Sequence, residues 1–344
     1  NDYMNCLWGR PTAAEEYPLV DAAAEAGCEY FCIDAGWYAD GDWWDSVGEW
    51  KESRRRFPNG VREVTDYIRK KGMIPGVWLE LEVMGICCET AKKVPDDWFF
   101  VRHGKRVYDR SRYQLDYRNP AVRDYADQVI DRLVRDYGVG YIKMDYNIEP
   151  GIGTELNADS VGDGMLAHER SYLSWLDGVF ARYPDLIIEN CSSGGMPEDA
   201  LKEEVVFNMV NAMLLRVHQS GHLAKLDDAR KELVKEGLDL YKKIRSDIKD
   251  FYPFWPLGLS SYADEWVSLG MRGEKKCYLA VWRREGTQES RVLPVAGLAG
   301  KEVNVRCIYP SYAKDAYVWN ERTGTLSVEQ KKEKTARLYE LTWS

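Results

Sequence analysis

The first 195 residues repeat one pattern, in which a short apolar strand is followed by a turn and an amphipathic helix. Strands are predicted at 3–9, 30–38, 73–83, 139–147 and 186–195. Because a parallel strand is reached from its predecessor only through a crossover, this alternation predicts a parallel sheet covered by helices. A chain of 344 residues has room for a barrel of roughly 250 residues and a smaller domain. The fold class predicted is therefore α/β, with an eight-stranded βα barrel of the TIM type.

The number of strands falls short of a complete barrel. After the fifth strand, residues 198–217 and 226–248 have the pattern of helices, and about two strands with their loops are missing. The missing strands would belong near Met196 and Pro197 in the sequence. We therefore expect that these two residues are not joined in the functional protein.

The character of the sequence changes near residue 250. The segments "KKCYLAVWRREG", "EVNVRCIYP" and "TARLYELTW" alternate like short antiparallel strands. The predicted domains are a barrel over 1–265 and a small antiparallel β-sandwich over 266–344.

Composition and charge exclude several kinds of partner. The net charge of −9 argues against a nucleic acid or an anionic membrane surface as partner, and no run of 18 apolar residues is present. The eight cysteines lack metal-type spacing, which favours reduced thiols. No signal-peptide pattern occurs at the start of the sequence, so a cytoplasmic location is expected. A homo-oligomer is compatible with these features.

Polar or aromatic side chains mark the ends of the predicted strands. In a βα barrel the carboxyl ends of the strands line the active site, so these side chains are candidates for contacting a ligand. They are Trp8, Asp34, Trp37, Trp78, Glu80, Asp145 and Cys191.

The stretch "YIKMDYN" places Lys143, Asp145 and Asn147 on one face of a strand, where a core strand would carry apolar residues. A carboxylate near an ammonium group is held ionised, which suits a nucleophile that attacks the anomeric carbon of a sugar. A structural ion pair at a strand end is equally consistent with this spacing. The 13 Trp and 22 Tyr residues likewise fit either a sugar site or an aromatic core.

The sequence gives weaker evidence for a cysteine nucleophile and for a metal site. Cys191 in "NCSSGG" has no His nearby in the sequence to act as a base, whereas Gly194 would allow the backbone to approach a ligand. His218 and His222 are four residues apart but lack the Glu of a zinc-protease helix. Neither a metal nor a cofactor is predicted.

The stretch "YIKMDYN" resembles the nucleophile strand of family-36 glycoside hydrolases, the retaining α-galactosidases, with its Lys-x-Asp-x-Asn pattern. "ENCSSGG" resembles the next strand of that family, and "DAGWY", "GVWLELE" and "LDYRNPAVRDY" fit the same clan. The resemblance implies a βα barrel with a C-terminal β-sandwich that acts on α-galactoside oligosaccharides. It assigns Asp145 as the nucleophile. It assigns substrate contacts to Trp8, Asp34, Trp37, Trp78, Lys143, Asn147, Cys191 and Gly194, and Glu80 is a further carboxylate available to sugar hydroxyls.

The sequence departs from this family at the second catalytic group. The strand after "CSSGG" should end in a Ser-Asp motif that supplies the general acid/base, but the only such pair is Ser246-Asp247 inside a predicted helix. A retaining hydrolase needs two carboxyl groups about 5–5.5 Å apart. The alternatives are an α-N-acetylgalactosaminidase, a raffinose-type α-galactosyl transferase, and a sugar-binding relative without catalytic activity.

Overall fold

The computed structural model describes residues 1–191, 201–219 and 221–344. The chain divides into two compact units, Asn1–Gly195 with Ser220–Ala224, and Met196–Gln219 with Lys225–Ser344. The expected break between Met196 and Pro197, like Gly194, lies outside the described residues. The domain boundary predicted at 265 stays a prediction.

The described helices and strands follow one another along both units. The α-helices are α1 (Ala13–Glu25), α2 (Val61–Lys70), α3 (Glu89–Lys93), α4 (Pro120–Asp131), α5 (Val161–Arg182), α6 (Lys202–Met213) and α7 (Asp228–Ile248). The strands of the first unit are β1 (Tyr30–Ile33), β2 (Ile74–Leu79), β3 (Val83–Gly85), β4 (Val101–Arg102), β5 (Lys105–Arg106), β6 (Tyr108–Asp109), β7 (Arg112–Gln114), β8 (Tyr141–Asp145) and β9 (Ile187–Cys191). Those of the second unit are β10 (Tyr252–Phe254), β11 (Trp266–Arg272), β12 (Lys276–Arg283), β13 (Ser290–Pro294), β14 (Val303–Tyr309), β15 (Tyr317–Asn320), β16 (Thr325–Glu329) and β17 (Thr335–Trp343).

A four-stranded parallel sheet forms the centre of the first unit, in the order β1-β2-β8-β9. Helices begin where the sequence provides caps: the Thr12 side chain accepts the N–H of Glu15 at α1, and Ser160 does the same for Asp163 at α5. The sheet buries Ile33, Val77, Leu79 and Ile142 in one apolar core with the helices. The predicted α/β alternation and parallel sheet are therefore present, but the described residues contribute only four strands and do not form a closed eight-stranded ladder.

The strand predicted at 3–9 was wrong, because Tyr3–Leu7 forms a π-helical turn. A short apolar run cannot distinguish a strand from a buried helical turn. Two consecutive left-handed residues, Trp8 at φ 51° and Gly9 at φ 76°, reverse the chain immediately afterwards. Extended pairing could not continue through them.

A set of short antiparallel strands is inserted between β2 and α4. One sheet has the order β3-β7-β6, and β4 pairs with β5. This insertion brings Arg112, at the start of β7, opposite Gly85 in β3. The insertion therefore places side chains such as Arg112 near the end of β2.

The second unit contains two antiparallel sheets, in the orders β10-β11-β12-β17-β14 and β13-β16-β15. Alternating residues of both sheets share one apolar core, which includes Leu279, Val281, Leu293, Leu326 and Leu341. The antiparallel β-domain expected from the sequence is therefore present. Helices α6 and α7 belong to this unit and pack against each other.

In the part of the chain that the structure describes, no helix is long and apolar enough to cross a membrane.

The tight contact at Gly85 gives a test of this fold. A Cβ atom there would lie 1.9 Å from the carbonyl oxygen of Asp45, so Gly85→Ala should cost about 1–3 kcal/mol of unfolding free energy, measured by urea denaturation. Gly178→Ala is the control, since nothing lies within 4 Å of that position in α5 and alanine favours a helix by up to about 1 kcal/mol. Equal urea midpoints for the two variants would contradict the packing described.

Candidate active site

The register of the parallel strands brings several predicted side chains to one edge of the sheet. Trp78 lies opposite Lys143, and Asp145 lies opposite Cys191. Asp34 follows the end of β1 directly. Because the carboxyl ends of parallel strands meet at the same edge, side chains far apart in the sequence converge there.

Lys143 and Asp34 form an ion pair across the sheet. The Lys143 Nζ donates to Asp34 Oδ2 at 2.7 Å, and the two side chains are 12% and 3% exposed. Asp34 Oδ1 also accepts the N–H of Ala35 at 2.8 Å. A largely desolvated pair with a further hydrogen bond holds both groups in one geometry.

Each carboxylate oxygen of Asp145 accepts one hydrogen bond. The indole Nε1 of Trp78 donates to Oδ2 at 3.0 Å, and the backbone N–H of Tyr146 donates to Oδ1 at 3.0 Å. A carboxylate has about four lone-pair sites, so these two donors fix the group and leave acceptor capacity on both oxygens.

A chain of aromatic rings leads from the surface to Trp78. Trp8, 52% exposed, lies edge-on to Tyr3 with ring centroids 5.9 Å apart, Tyr3 contacts Trp43 at 5.6 Å, and Trp43 contacts Trp78 at 5.4 Å. These rings form a continuous apolar wall next to Asp145. Trp8 and Trp78, two of the residues predicted to contact the substrate, belong to this row of rings, and a contact of either with a sugar stays a prediction.

Trp37, the third tryptophan predicted to contact the substrate, packs against the backbone of Trp78. It is fully buried, and its Nε1 donates to the backbone carbonyl of Trp78 at 2.9 Å. Its ring also packs near Trp50, with centroids 6.3 Å apart. Trp37 therefore supports the end of β2, and a direct contact with a sugar stays a prediction.

Glu80 is part of a buried ion pair at the end of β2. Arg112 Nη1 donates to Glu80 Oε2, and neither side chain is exposed. The backbone N–H of Asn147 donates to Glu80 Oε1 at 2.6 Å. Burial raises the pKa of Glu80, while the Arg112 charge and the Asn147 hydrogen bond act in the opposite direction.

Arg112 and Trp43 were not identified from the sequence. The Arg112 guanidinium lies 3.6 Å from the ring centroid of Trp44, and its Nε donates to the Trp44 carbonyl at 2.9 Å. The doubled tryptophan in "GDWWD" was the one sequence feature that marked this part of the site. Arg112 gave no such signal, because it reaches Glu80 through strand pairing between distant segments.

Two predicted site residues, Cys191 and Gly194, remain. The backbone of Cys191 pairs with Asp145 at the end of β9, and Gly194 lies outside the described residues. Within the described ranges, no group of three or more His, Cys, Asp or Glu side chains could hold a metal ion.

Removing one partner of the Arg112–Glu80 pair should be costly. Arg112→Met leaves a buried carboxylate without its cation, so we expect a loss of about 3–5 kcal/mol in unfolding free energy, measured by urea denaturation. Lys92→Met is the control, because the pair of Lys92 with Glu89 is exposed and should contribute less than about 1 kcal/mol. Similar losses for both variants would show that the buried pair is not needed.

Comparison with known proteins matches this chain to one protein family and to several α-galactosidases. The Melibiase family matches residues 13–202, more than half of the chain. The α-galactosidase Mel36A of Lactobacillus acidophilus is 31% identical over 180 residues, which are 52% of this chain and 25% of that protein. The α-galactosidase AgaA of Geobacillus stearothermophilus is 29% identical over 190 residues, again 52% of this chain and 25% of that protein.

Solved structures show the same fold. A crystal structure of a variant of AgaA from Geobacillus stearothermophilus, a family-36 α-galactosidase in complex with raffinose, superposes with a TM-score of 0.80 at 17% identity and covers 98% of this chain and 54% of that one. The chain thus spans about a quarter of the length of the curated relatives it matches and about half of the structural one. The resemblance to family-36 glycoside hydrolases is confirmed, and the chain belongs to the Melibiase family.

Proposed function

We propose that this chain carries the nucleophile and the galactose site of a retaining α-galactosidase that hydrolyses terminal α-linked galactose. The observation that carries the proposal is Asp145, a carboxylate held by two N–H donors beside the Lys143–Asp34 pair and the aromatic wall. Membership of the Melibiase family and the names of the relatives support the substrate class. The AgaA structure with raffinose supports an oligosaccharide substrate.

Asp145 would act in a double displacement. One of its oxygens attacks the anomeric carbon of galactose and forms an ester as the bond to the leaving oxygen breaks. Water then attacks the same carbon and releases the carboxylate, so that the configuration is retained. The N–H groups of Trp78 and Tyr146 would aim the carboxylate during both steps.

The Lys143–Asp34 pair would recognise the sugar. Asp34 offers acceptors to hydroxyl groups and Lys143 offers donors, and both are already oriented by their mutual bond. Trp78 is only 1% exposed, so its part would be to orient Asp145 through the indole N–H beside the sugar. The Glu80–Asn147 hydrogen bond would hold the segment after β8, and with it the Asn147 amide, near the substrate.

The general acid/base would come from a segment between Met196 and Pro197, outside the described residues. The same segment would supply the strands that complete an eight-stranded barrel with β1, β2, β8 and β9. A cytoplasmic location and a homo-oligomer are also kept as proposals from the sequence.

The absence of a Ser-Asp motif at the expected place favours a second candidate, a protein that binds the sugar without cleaving it. An α-N-acetylgalactosaminidase and a raffinose-type α-galactosyl transferase would use the same nucleophile and differ in the substrate or acceptor. An assay of the complete protein with an aryl α-galactoside separates the enzyme from the binder, since only the enzyme releases the aryl group.

Replacing the nucleophile tests the enzyme directly. Asp145→Asn in the complete protein should reduce turnover of an aryl α-galactoside by several orders of magnitude, because the amide cannot form the ester. Asp185→Asn is the matched control, since Asp185 is exposed and lies before β9, at the opposite end of the sheet, and should leave turnover unchanged. Activity of the Asp145 variant within about tenfold of the parent would exclude Asp145 as the nucleophile.

Binding of galactose tests the site independently of catalysis. A crystal soaked with galactose should show the sugar in contact with Asp34, Lys143 and Asp145, and Asp34→Asn should weaken binding at least about tenfold by calorimetry, because a charged acceptor is lost. A sugar found only in the β-domain after residue 266 would instead favour a separate binding module.

A further inference from the structure

The second unit contains a cavity of about 300 Å³ beside the loop that joins β14 to β15. The cavity is lined by residues 312–316 of this loop and by Glu329, Lys331 and Arg337. All of these residues belong to one compact unit. Ligand pockets in proteins typically measure about 300–1,000 Å³, so this one has room for a small ligand such as a single sugar ring.

A buried arginine lines the cavity. The side chain of Arg337, in β17, is only 5% exposed. Its Nε donates to Asp315 Oδ2 at 2.5 Å, and its Nη1 donates to Glu203 Oε2 at 3.0 Å. The third nitrogen, Nη2, donates to none of the described residues, yet it is not sealed from solvent. Two carboxylates thus fix the guanidinium, while one of its nitrogens keeps its donors available to a ligand.

An aromatic ring is fixed at the same cavity. Tyr312 is 37% exposed, and its hydroxyl donates to Glu203 Oε1 at 2.9 Å. The Glu203 carboxylate therefore holds both this ring and Arg337. The Nζ of Lys202 lies over the ring, 4.8 Å from its centroid. Because the ring remains partly exposed, it offers an apolar surface next to polar groups, which is the combination that a sugar presents in return.

The charges around the cavity balance. Three basic side chains stand against three acidic ones, counting the carboxylate that holds Arg337. They are Lys314, Lys331, Arg337, Asp315, Glu329 and Glu203. A phosphate or another strong anion would meet two carboxylates in the lining, whereas a neutral ligand with several hydroxyl groups can accept from the cations and donate to the carboxylates. The lining therefore favours a neutral polyhydroxylated ligand.

We propose that this cavity is a second carbohydrate site, which takes one ring of a neutral oligosaccharide. Arg337 Nη2 would donate to one hydroxyl group, Asp315 would accept from another, and the Tyr312 ring would contact a C–H face of the sugar. The inference does not depend on the proposed function, because every residue that carries it lies in the second unit, whereas Asp34, Lys143 and Asp145 lie in the first.

A raffinose soak of crystals of the full chain, in a form that leaves the cavity open to solvent, tests the site without any substitution. We expect a sugar ring in the cavity, with a hydroxyl oxygen within hydrogen-bond distance of Arg337 Nη2. A parallel soak with inorganic phosphate should leave the cavity without the anion. Absence of sugar density there, or phosphate in its place, would overturn the proposal.

A filled cavity tests the site in solution. Raffinose binding is measured by ligand-observed NMR in an Asp34→Asn background, which weakens the first site. There Ala316→Trp should weaken the remaining binding at least about tenfold, because the indole occupies the space of the sugar ring. Val318→Trp is the matched control, since Val318 is 65% exposed, lies two residues further along and does not line the cavity. Equal affinities in the two variants would overturn the proposal.

Turnover of an aryl α-galactoside separates this site from the proposed function. Ala316→Trp alone should leave turnover within about twofold of the parent, because the small substrate does not need a second site. A parent without turnover and without sugar at the strand ends would contradict the proposed function, and the raffinose soak would still decide whether the cavity binds a sugar.

Discussion

The ion pair between Arg112 and Glu80 is the interaction on which the end of the parallel sheet depends. Both side chains are completely removed from water, so each compensates a charge that would otherwise be buried alone. Glu80 also accepts the N–H of Asn147, while Arg112 lies on the ring of Trp44. One pair thus joins the end of β2, the inserted antiparallel strands and the segment that follows β8.

A second contact holds the chain at the end of β1. There the carboxylate of the buried Asp2 accepts the backbone N–H of Asp34 at 2.6 Å. The Asp34 side chain pairs with Lys143, and the Trp78 indole donates to Asp145. Hydrogen bonds and ion pairs therefore fix the polar groups at the strand ends, as the proposed recognition of a sugar would require.

Sequence patterns predicted the part of the site that depends on local geometry. Strand alternation put Lys143 and Asp145 on one face, and the convergence of parallel strand ends brought Asp34 and Trp78 near them. The predictions failed where distant contacts decide the outcome. The apolar run at 3–9, predicted as a strand, forms a π-helical turn.

The burial of Arg112 and of Glu16 was missed for the same reason. Arg112 meets Glu80 only after the inserted strands have folded back, across 32 residues of sequence. Glu16 follows another glutamate in an ordinary amphipathic helix, and nothing in that pattern distinguishes the buried residue from the exposed one. Patterns identify which face of an element is buried, but the partner of a buried charge depends on segments that the pattern does not connect.

The two N–H groups that donate to Asp145 also change how well its carboxylate acts as a nucleophile and as a leaving group. Each donor withdraws charge from the oxygen to which it is bonded, so the group pushes less strongly on an electrophile and departs more readily from an ester. In the proposed double displacement the same oxygen has to do both, first as the attacking group and then as the leaving group. The Trp78 indole would therefore slow the formation of the glycosyl ester and speed its breakdown, which would limit the accumulation of the covalent intermediate.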